Sequence, residues 1–212
     1  MHNLRTGVPL VVSAPSGGGK TTLCREVARR VGDVNFSISH TSRPPRPGER
    51  DGVDYHFVND ATFRQLIDEG AFLEWARVHG NLYGTSSIQA QARLDAGNDV
   101  MFVIDVQGGR QILQRIPDAV SVFVVPPSLA VLEERLRGRQ SDSPDQVELR
   151  LRVAGDEIRQ ATFYSHWLVN DDLDTAIENL ASILRAERLK RLNKQAILHE
   201  ILGSGTVSDG SH

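Results

Sequence analysis

The chain reads as an α/β fold on a central parallel sheet, and three features of its 212 residues predict that class. The first is Pro9 to Leu23, P-L-V-V-S-A-P-S-G-G-G-K-T-T-L, where a short apolar run gives way to glycines and then to a helix opening on Lys20 and Thr21. The second is a pair of nearly continuous apolar runs, Val100 to Val106 and Val120 to Val125, as expected of strands covered on both faces. The third is the alternation of such runs with amphipathic segments, the rhythm of strand–helix–strand units. Residues 36 to 96 break that rhythm, which fits an inserted lobe with a small, partly antiparallel sheet.

Taken in order, Leu10 to Ser13 is a short buried strand, and a helix runs to Val31 with Leu23, Val27, Ala28 and Val31 at helical spacing and Gly32 at its end. Phe36 to Ser39 is a strand, and His40 to Asp54, rich in Arg, Pro, Gly and acids, is an ordered loop. A helix over Thr62 to Glu69 carries Phe63, Leu66 and Ile67 on one face; Phe72 to Val78 is a strand and Ser86 to Asp95 a helix. The strand Val100 to Val106 leads into a helix from Gly108 to Ile116. After the strand Val120 to Val125, Ser128 caps a helix over Leu129 to Arg137. Pro144 to Tyr164 is mostly helical, His166 to Asn170 is the last strand, and a closing helix runs from Leu173 to about Leu192. The polar tail 203–212 is expected to be disordered.

Strand, glycine loop, lysine, hydroxyl and helix make up a phosphate-binding loop, and each part has a chemical reason. Glycines let backbone N–H groups converge on phosphate oxygens, and the helix N-terminus adds partial positive charge. The predicted triphosphate site is therefore Ala14, Pro15, Ser16, Gly17, Gly18, Gly19, Lys20, Thr21 and Thr22, with Lys20 on the β- and γ-phosphates and the Thr21 hydroxyl on Mg²⁺. Ala14 stands where the strict G-x-x-x-x-G-K-[ST] pattern has its first glycine, which is tolerable if that residue keeps a negative φ. In a fold of this kind ligands gather beyond the carboxyl ends of the strands, where Asp105 and Asn170 also fall.

Composition narrows the partners. A formal charge of −3 gives no reason to expect a coat of nucleic acid. No apolar run approaches the ~20 residues of a membrane span and no signal-peptide core is visible, so a cytoplasmic protein is the default expectation. Cys24 is the only cysteine, which leaves a packed thiol and no internal disulfide. Lys20, Lys190 and Lys194 are the only lysines, so a lysine inside the loop is less easily an accident.

A phosphate loop alone says that a nucleotide binds. The segment T-S-R-P-P-R-P-G-E, Thr41 to Glu49, adds a second anion site: Arg43 and Arg46 stand three residues apart on a proline-stiffened loop, two guanidinium forks able to clamp a phosphate, with the Tyr55 hydroxyl nearby. From the residues alone, a solvated basic loop is an equally good reading.

The longer run T-S-R-P-P-R-P-G-E-R-D-G-V-D-Y-H-F-V resembles the guanylate kinase signature, and the likeness extends through F-L-E-W, G-N-L-Y-G, I-D-V-Q-G, R-L-R-G-R and V-N-D to nearly the whole chain. The fold this resemblance implies is a P-loop kinase fold: a central parallel sheet (about 5–35, 98–130 and 160–200), an inserted GMP-binding lobe with a small mixed sheet (about 36–97) and a helical lid (about 131–159). It implies Mg²⁺-dependent transfer of the γ-phosphoryl group of ATP to GMP, with dGMP as a further acceptor. By the same resemblance Arg43, Arg46, Tyr55 and Tyr83 hold the GMP phosphate. Ser39, Glu74, Thr85 and Asp105 read the guanine, and Asn170 contacts the adenine, although an ordinary strand-end turn explains Asn170 equally well. Arg135, Arg139 and Arg150 match the lid arginines that join Lys20 and Arg43 in catalysis, while a charged helix face accounts for Arg137, Arg152 and Arg159. Val103 stands where the family often has an acid, and Gly109 is a milder departure. Two other readings keep the same scaffold: a phosphopeptide-binding module without activity, and a sugar-phosphate kinase.

Overall fold

The computed structural model describes residues 5–78, 80–138 and 143–202. Arg139 and the tail 203–212 lie outside them. In chain order the elements are β1 (Pro9–Ser13), α1 (Lys20–Val31), β2 (Val34–Phe36), β3 (Ser39–Thr41), β4 (His56–Phe57), α2 (Asp60–Asp68), β5 (Phe72–Val78), β6 (Asn81–Ser86), α3 (Ser87–Asp95), β7 (Asp99–Val103), α4 (Val106–Arg115), β8 (Val120–Val125), α5 (Leu129–Arg137), α6 (Pro144–Gln160), β9 (His166–Val169), α7 (Leu173–Lys190) and α8 (Lys194–Leu202).

Two sheets result. The larger runs β2-β7-β1-β8-β9 and every pairing in it is parallel, so its strands point their carboxyl ends one way. Its middle strand, β1, is fully buried, which is why it reads as unbroken apolar sequence. One face is covered by α1 and α7 through Leu23, Val27, Ile177, Leu180 and Leu184, and the other by an apolar cluster that includes Ile112 of α4 and Tyr164. The smaller sheet runs β4-β3-β6-β5 and is mixed, with β3–β4 parallel and the other pairs antiparallel. It has its own apolar centre, Phe63 of α2 stacked on Phe72 of β5 with Leu82 beside them. Among the described residues no helix is long and apolar enough to cross a membrane.

Three expectations need correction. The single strand expected over Phe36 to Ser39 is two: β2 ends at Phe36 in the large sheet, and the chain then crosses to begin β3 at Ser39 in the small one. His40 and Thr41 therefore belong to a strand and not to the loop that follows. The run Val100 to Val106 is strand only as far as Val103, because the Asp105 carboxylate accepts from Gly108 N at 2.8 Å and starts α4 two residues earlier than expected. Finally, β6 pairs with both β3 and β5, and its strand character is invisible in a segment with glycine, asparagine and two hydroxyl residues.

The N-terminus is stapled at the sheet end opposite the phosphate loop. Asp99, 1% exposed, accepts from Arg5 at 2.6 Å, Arg188 at 2.7 Å and the Val8 backbone N–H at 2.9 Å. Removing this buried carboxylate strands two guanidinium groups and one amide. Asp99→Ala is expected to cost about 3–5 kcal/mol in urea unfolding, with little change in the denaturant slope.

Candidate active site

The phosphate loop connects β1 to α1. Gly18 N donates to Pro15 O at 2.9 Å, closing the turn, and Gly17 and Gly19 adopt φ of 89° and 85°. Both angles lie in the left-handed region where a side chain is strained. Asp33 is the only non-glycine with positive φ among the described residues, so Ala14 sits where a methyl is accepted. Ala14 and Pro15 are buried at the strand end, while Ser16, Thr21 and Thr22 face outward. Lys20 reaches across to β7, its Nζ donating to Ile104 O at 2.7 Å, and burial lowers its pKa against the pull of nearby Asp105 and Glu157. Cys24 follows on the same helix, wholly buried, its thiol pushed up to about 12 by desolvation, which leaves it inert.

The loop is held from behind. Asn170, 5% exposed at the end of β9, donates through Nδ2 to Gly18 O at 2.9 Å, and its own carbonyl accepts from Arg135 at 2.9 Å. The Asn170 amide is thus committed to the loop backbone, and the Arg135 guanidinium sits at the same strand end. Leu132 and Leu136 of α5 press on Gly17 and join Val147 and Ala154 of α6 in a small core of their own. Arg150 lies half-buried on α6. Arg137, Arg152 and Arg159 pair along the helix surfaces with Glu133, Glu148 and Asp156, as a charged helix face requires.

The proline-rich segment builds a second cationic site. Arg43 makes a bidentate pair with Glu49, at 2.9 and 2.8 Å, and the same guanidinium interacts with the Tyr83 hydroxyl. It lies 5.5 Å from the Tyr55 ring centre and 5.7 Å from that of Phe57. The Tyr55 and Tyr83 rings are edge to face at 5.9 Å. Arg43 holds the Glu49 carboxyl down to about 2, with help from the Arg46 backbone N–H. The Arg43 Nε–H is buried with no partner among the described residues, a donor aimed at something the chain does not supply. The Arg46 side chain is exposed and makes no hydrogen bond or ion pair with them.

Strand register assembles the third group. Ser39 on β3, Thr85 on β6 and Glu74 on β5 are direct neighbours across the small sheet, so their side chains share one face. Ser39 Oγ and Thr85 Oγ1 are 3.4 Å apart, and the Thr85 hydroxyl donates to Glu74 Oε1 at 2.6 Å. Glu74 is 7% exposed, and burial raises its pKa, as does Asp105 nearby. A Cβ at Gly108 would stand 3.4 Å from both Glu74 Oε2 and Asp105 Oδ1, so the two carboxylates, one from each sheet's end, converge beside that glycine. Thr21, Cys24 and Arg25 of α1 line a cleft of about 370 Å³ together with Phe36 to Ile38, Val53 to Tyr55 and Val103.

Two polar positions were not legible as functional. Tyr164 donates to Ser13 Oγ at 2.6 Å, and Ser13 Oγ donates to Asp105 O at 3.2 Å, a buried chain behind the loop. Burial pushes the Glu157 carboxyl of α6 up, against the opposing pull of the Ser16 backbone and Lys20. Neither stands in a local motif; only helix packing brings them to the site. The chain's Gly109 now has a reason, because a Cβ there would lie 2.1 Å from the Tyr164 hydroxyl. Gly109→Ala is expected to cost roughly 1–3 kcal/mol in chemical unfolding, and Tyr164→Phe in the same molecule should recover part of that loss.

Comparison with known proteins agrees with this geometry. The guanylate kinase family model matches residues 6–187. A guanylate kinase of Aromatoleum aromaticum is 48% identical over 188 residues, covering 89% of this chain and 92% of that one. One of Legionella pneumophila is 46% identical over 195 residues, 91% of this chain and 93% of the other. The crystal structure of guanylate kinase from Anaplasma phagocytophilum superposes with a TM-score of 0.71 at 29% identity, covering 97% of this chain and all of that one. With a parallel sheet, a glycine loop before Lys20, Arg43 just past β3 and a mixed sheet bearing Glu74 in the matched span, the chain belongs to the guanylate kinase family.

Proposed function

We propose that the two cationic sites divide the work of one reaction, transfer of the γ-phosphoryl group of ATP to GMP with release of ADP and GDP. The activity is that of the family to which the chain belongs. The residue assignment is supported chiefly by the buried Arg43 Nε–H without a partner among the described residues, in the cluster whose Tyr55 lines one cleft with Thr21. Cytoplasm, where both nucleotides are pooled, is the compartment we assign.

Ala14 to Thr22 take the donor phosphates through backbone N–H groups and Lys20, whose burial disfavours its charge until phosphate oxygens offset it. Asn170, bonded to Gly18 O, acts on the donor through the loop. Mg²⁺ fits this arrangement: it keeps most of its shell as water and phosphate oxygen, and one outward hydroxyl, Thr21, suffices as protein ligand. Among the described residues no cluster of three or more His, Cys, Asp or Glu offers a fuller cage, and Val103 adds none. Bound there, the ion would supply charge neutralisation between the β- and γ-phosphates.

Arg43, Arg46, Tyr55 and Tyr83 take the acceptor phosphate, which would meet the idle Arg43 Nε–H. Glu74 and Asp105 accept from guanine N1–H and the exocyclic amine. Because Thr85 gives its proton to Glu74, Ser39 is the hydroxyl left to serve guanine O6. AMP has no N1–H and carries its amine elsewhere, so it would leave buried carboxylates unpaired, worth a discrimination of about 10⁴. The acceptor oxygen is already anionic, so no general base is required; the chain's task is to hold two polyanions in line. Arg135, Arg139 and Arg150, on or beside the α5–α6 lid, would close over the transferring group and shut out water.

A coupled ADP-release assay with a panel of monophosphates tests this, with turnover expected for GMP and little for AMP. Lys20→Ala should lower kcat by about 10²–10³-fold with GMP binding nearly intact. Arg43→Ala should raise the KM for GMP by roughly 10- to 100-fold, and a change in ATP affinity alone would overturn its assignment.

A further inference from the structure

Strand β5 changes face between Phe72 and Glu74, and that change turns Glu74 toward the other polar groups of the small sheet. In a regular strand, residues two apart lie on one face. Here Phe72 lies against Phe63 and Leu82 in the apolar centre, on the side of β6 where a Cβ at Gly84 would point. Glu74 stands on the opposite side, beside Thr85. Phe72 pairs with Ser86 and Glu74 with Thr85, so Leu73 is an extra residue that no β6 residue faces. Leu73 is instead buried in the apolar cluster against the large sheet. An extra residue of this kind is a β-bulge, a device that re-aims the side chains beside it.

A bulge interrupts the ladder, and the backbone groups it leaves over have to be met elsewhere. Strand β5 is the edge of its sheet, and two side chains of α4 meet its free side. Arg115 donates to Phe72 O at 2.5 Å. Trp75 N donates to Gln111 Oε1 at 3.3 Å, and Gln111 Nε2 donates to Trp75 O at 3.4 Å. Gln111 and Arg115 are four residues apart and so share one face of the helix. Their targets Phe72 and Trp75 are three apart, whereas a regular strand turns its backbone to one side at every second residue. The two side chains therefore fit the bulged register, with Leu73 and Glu74 held between them. Gly108, a turn before Gln111, lies beside the Glu74 carboxylate, a Cβ there standing 3.4 Å from Oε2. We propose that Gln111 and Arg115 are positioning residues for the acceptor base: they hold β5 in its bulged register and so keep Glu74 on the face it shares with Ser39 and Thr85. The inference rests on the reading of Glu74 as a guanine ligand given above.

The test is steady-state kinetics of the full chain, with GMP varied at saturating ATP and ATP varied at saturating GMP. Gln111→Ala and Arg115→Ala combined should raise the KM for GMP about 5- to 50-fold and leave kcat and the KM for ATP nearly unchanged, the pattern of a lost binding contact. Arg115→Lys keeps a donor and should recover part of the loss seen in Arg115→Ala; Gln111→Ala by itself gives the reading if the double variant does not fold. A role confined to stability would lower the urea midpoint and leave the KM for GMP alone, which overturns the proposal. The same changes made in a Glu74→Ala chain should add little, because they act through that carboxylate; a fully additive rise overturns it as well. Glu74→Ala by itself separates the two levels of inference. If it raises the KM for GMP, the guanine reading stands, and an unchanged KM in the α4 variants counts against Gln111 and Arg115 alone. If its GMP kinetics match the wild type, the guanine reading falls and this proposal with it.

Discussion

Between Gly17 and Gly19 the backbone passes through a gap that admits no side chains. A Cβ at Gly17 would stand 2.9 Å from Leu132 and Leu136, and one at Gly19 2.5 Å from the Asn170 amide, which itself holds Gly18 O. The phosphate loop is thus clamped between helix α5 and the end of strand β9, and its left-handed glycines are the only residues that fit both the angle and the space. Donors so fixed need no reorganisation when a phosphate arrives, which is where electrostatic catalysis gains most. The same clamp makes the loop sensitive to the helices behind it, since α5 touches it directly and α6 packs on α5.

The polar group on the small sheet is arranged by a different device, strand register. Ser39, Thr85 and Glu74 stand abreast because β3, β6 and β5 pair at those positions, and a slip of one residue would turn all three away. The register is secured by the Phe63–Phe72 stack and by the docking of β5 on α4, where Arg115 donates to Phe72 O and Gln111 meets the Trp75 backbone. Once placed, Glu74 is desolvated with one hydroxyl for company and an acid nearby, so its charge is held at some expense. A ligand with donors at that spot relieves the expense, and one without them adds to it.

The Arg43 cluster keeps a carboxylate of its own at hand, Glu49, in a bidentate pair. A cluster of like charges waiting for a polyanion repels itself, and a nearby acid lowers that repulsion while keeping each cationic group oriented. Any anion that approaches the Arg43 guanidinium competes with Glu49 for it.

Much of this was legible in the chain. Apolar runs marked β1, β7 and β8, since strands buried on both faces tolerate little else; glycines around Lys20 marked the loop; and arginines stiffened by prolines marked a second cationic cluster. Strand β6 was not legible, because a strand with glycine, asparagine and hydroxyl residues looks like loop. Nor was the break between β2 and β3, where one short segment serves two sheets. The chain by itself determined the local chemistry: which residues can bend to φ near 85°, carry a fixed charge or start a helix at Asp105, all of them properties of a residue and its near neighbours. Tertiary structure alone decided which of these groups meet. Glu74 lies 31 residues from Asp105 in sequence, and Asn170 lies 152 from Gly18; only the packing of the two sheets and the strand order of the larger one bring them together, because burial and convergence depend on the whole fold and on no local pattern.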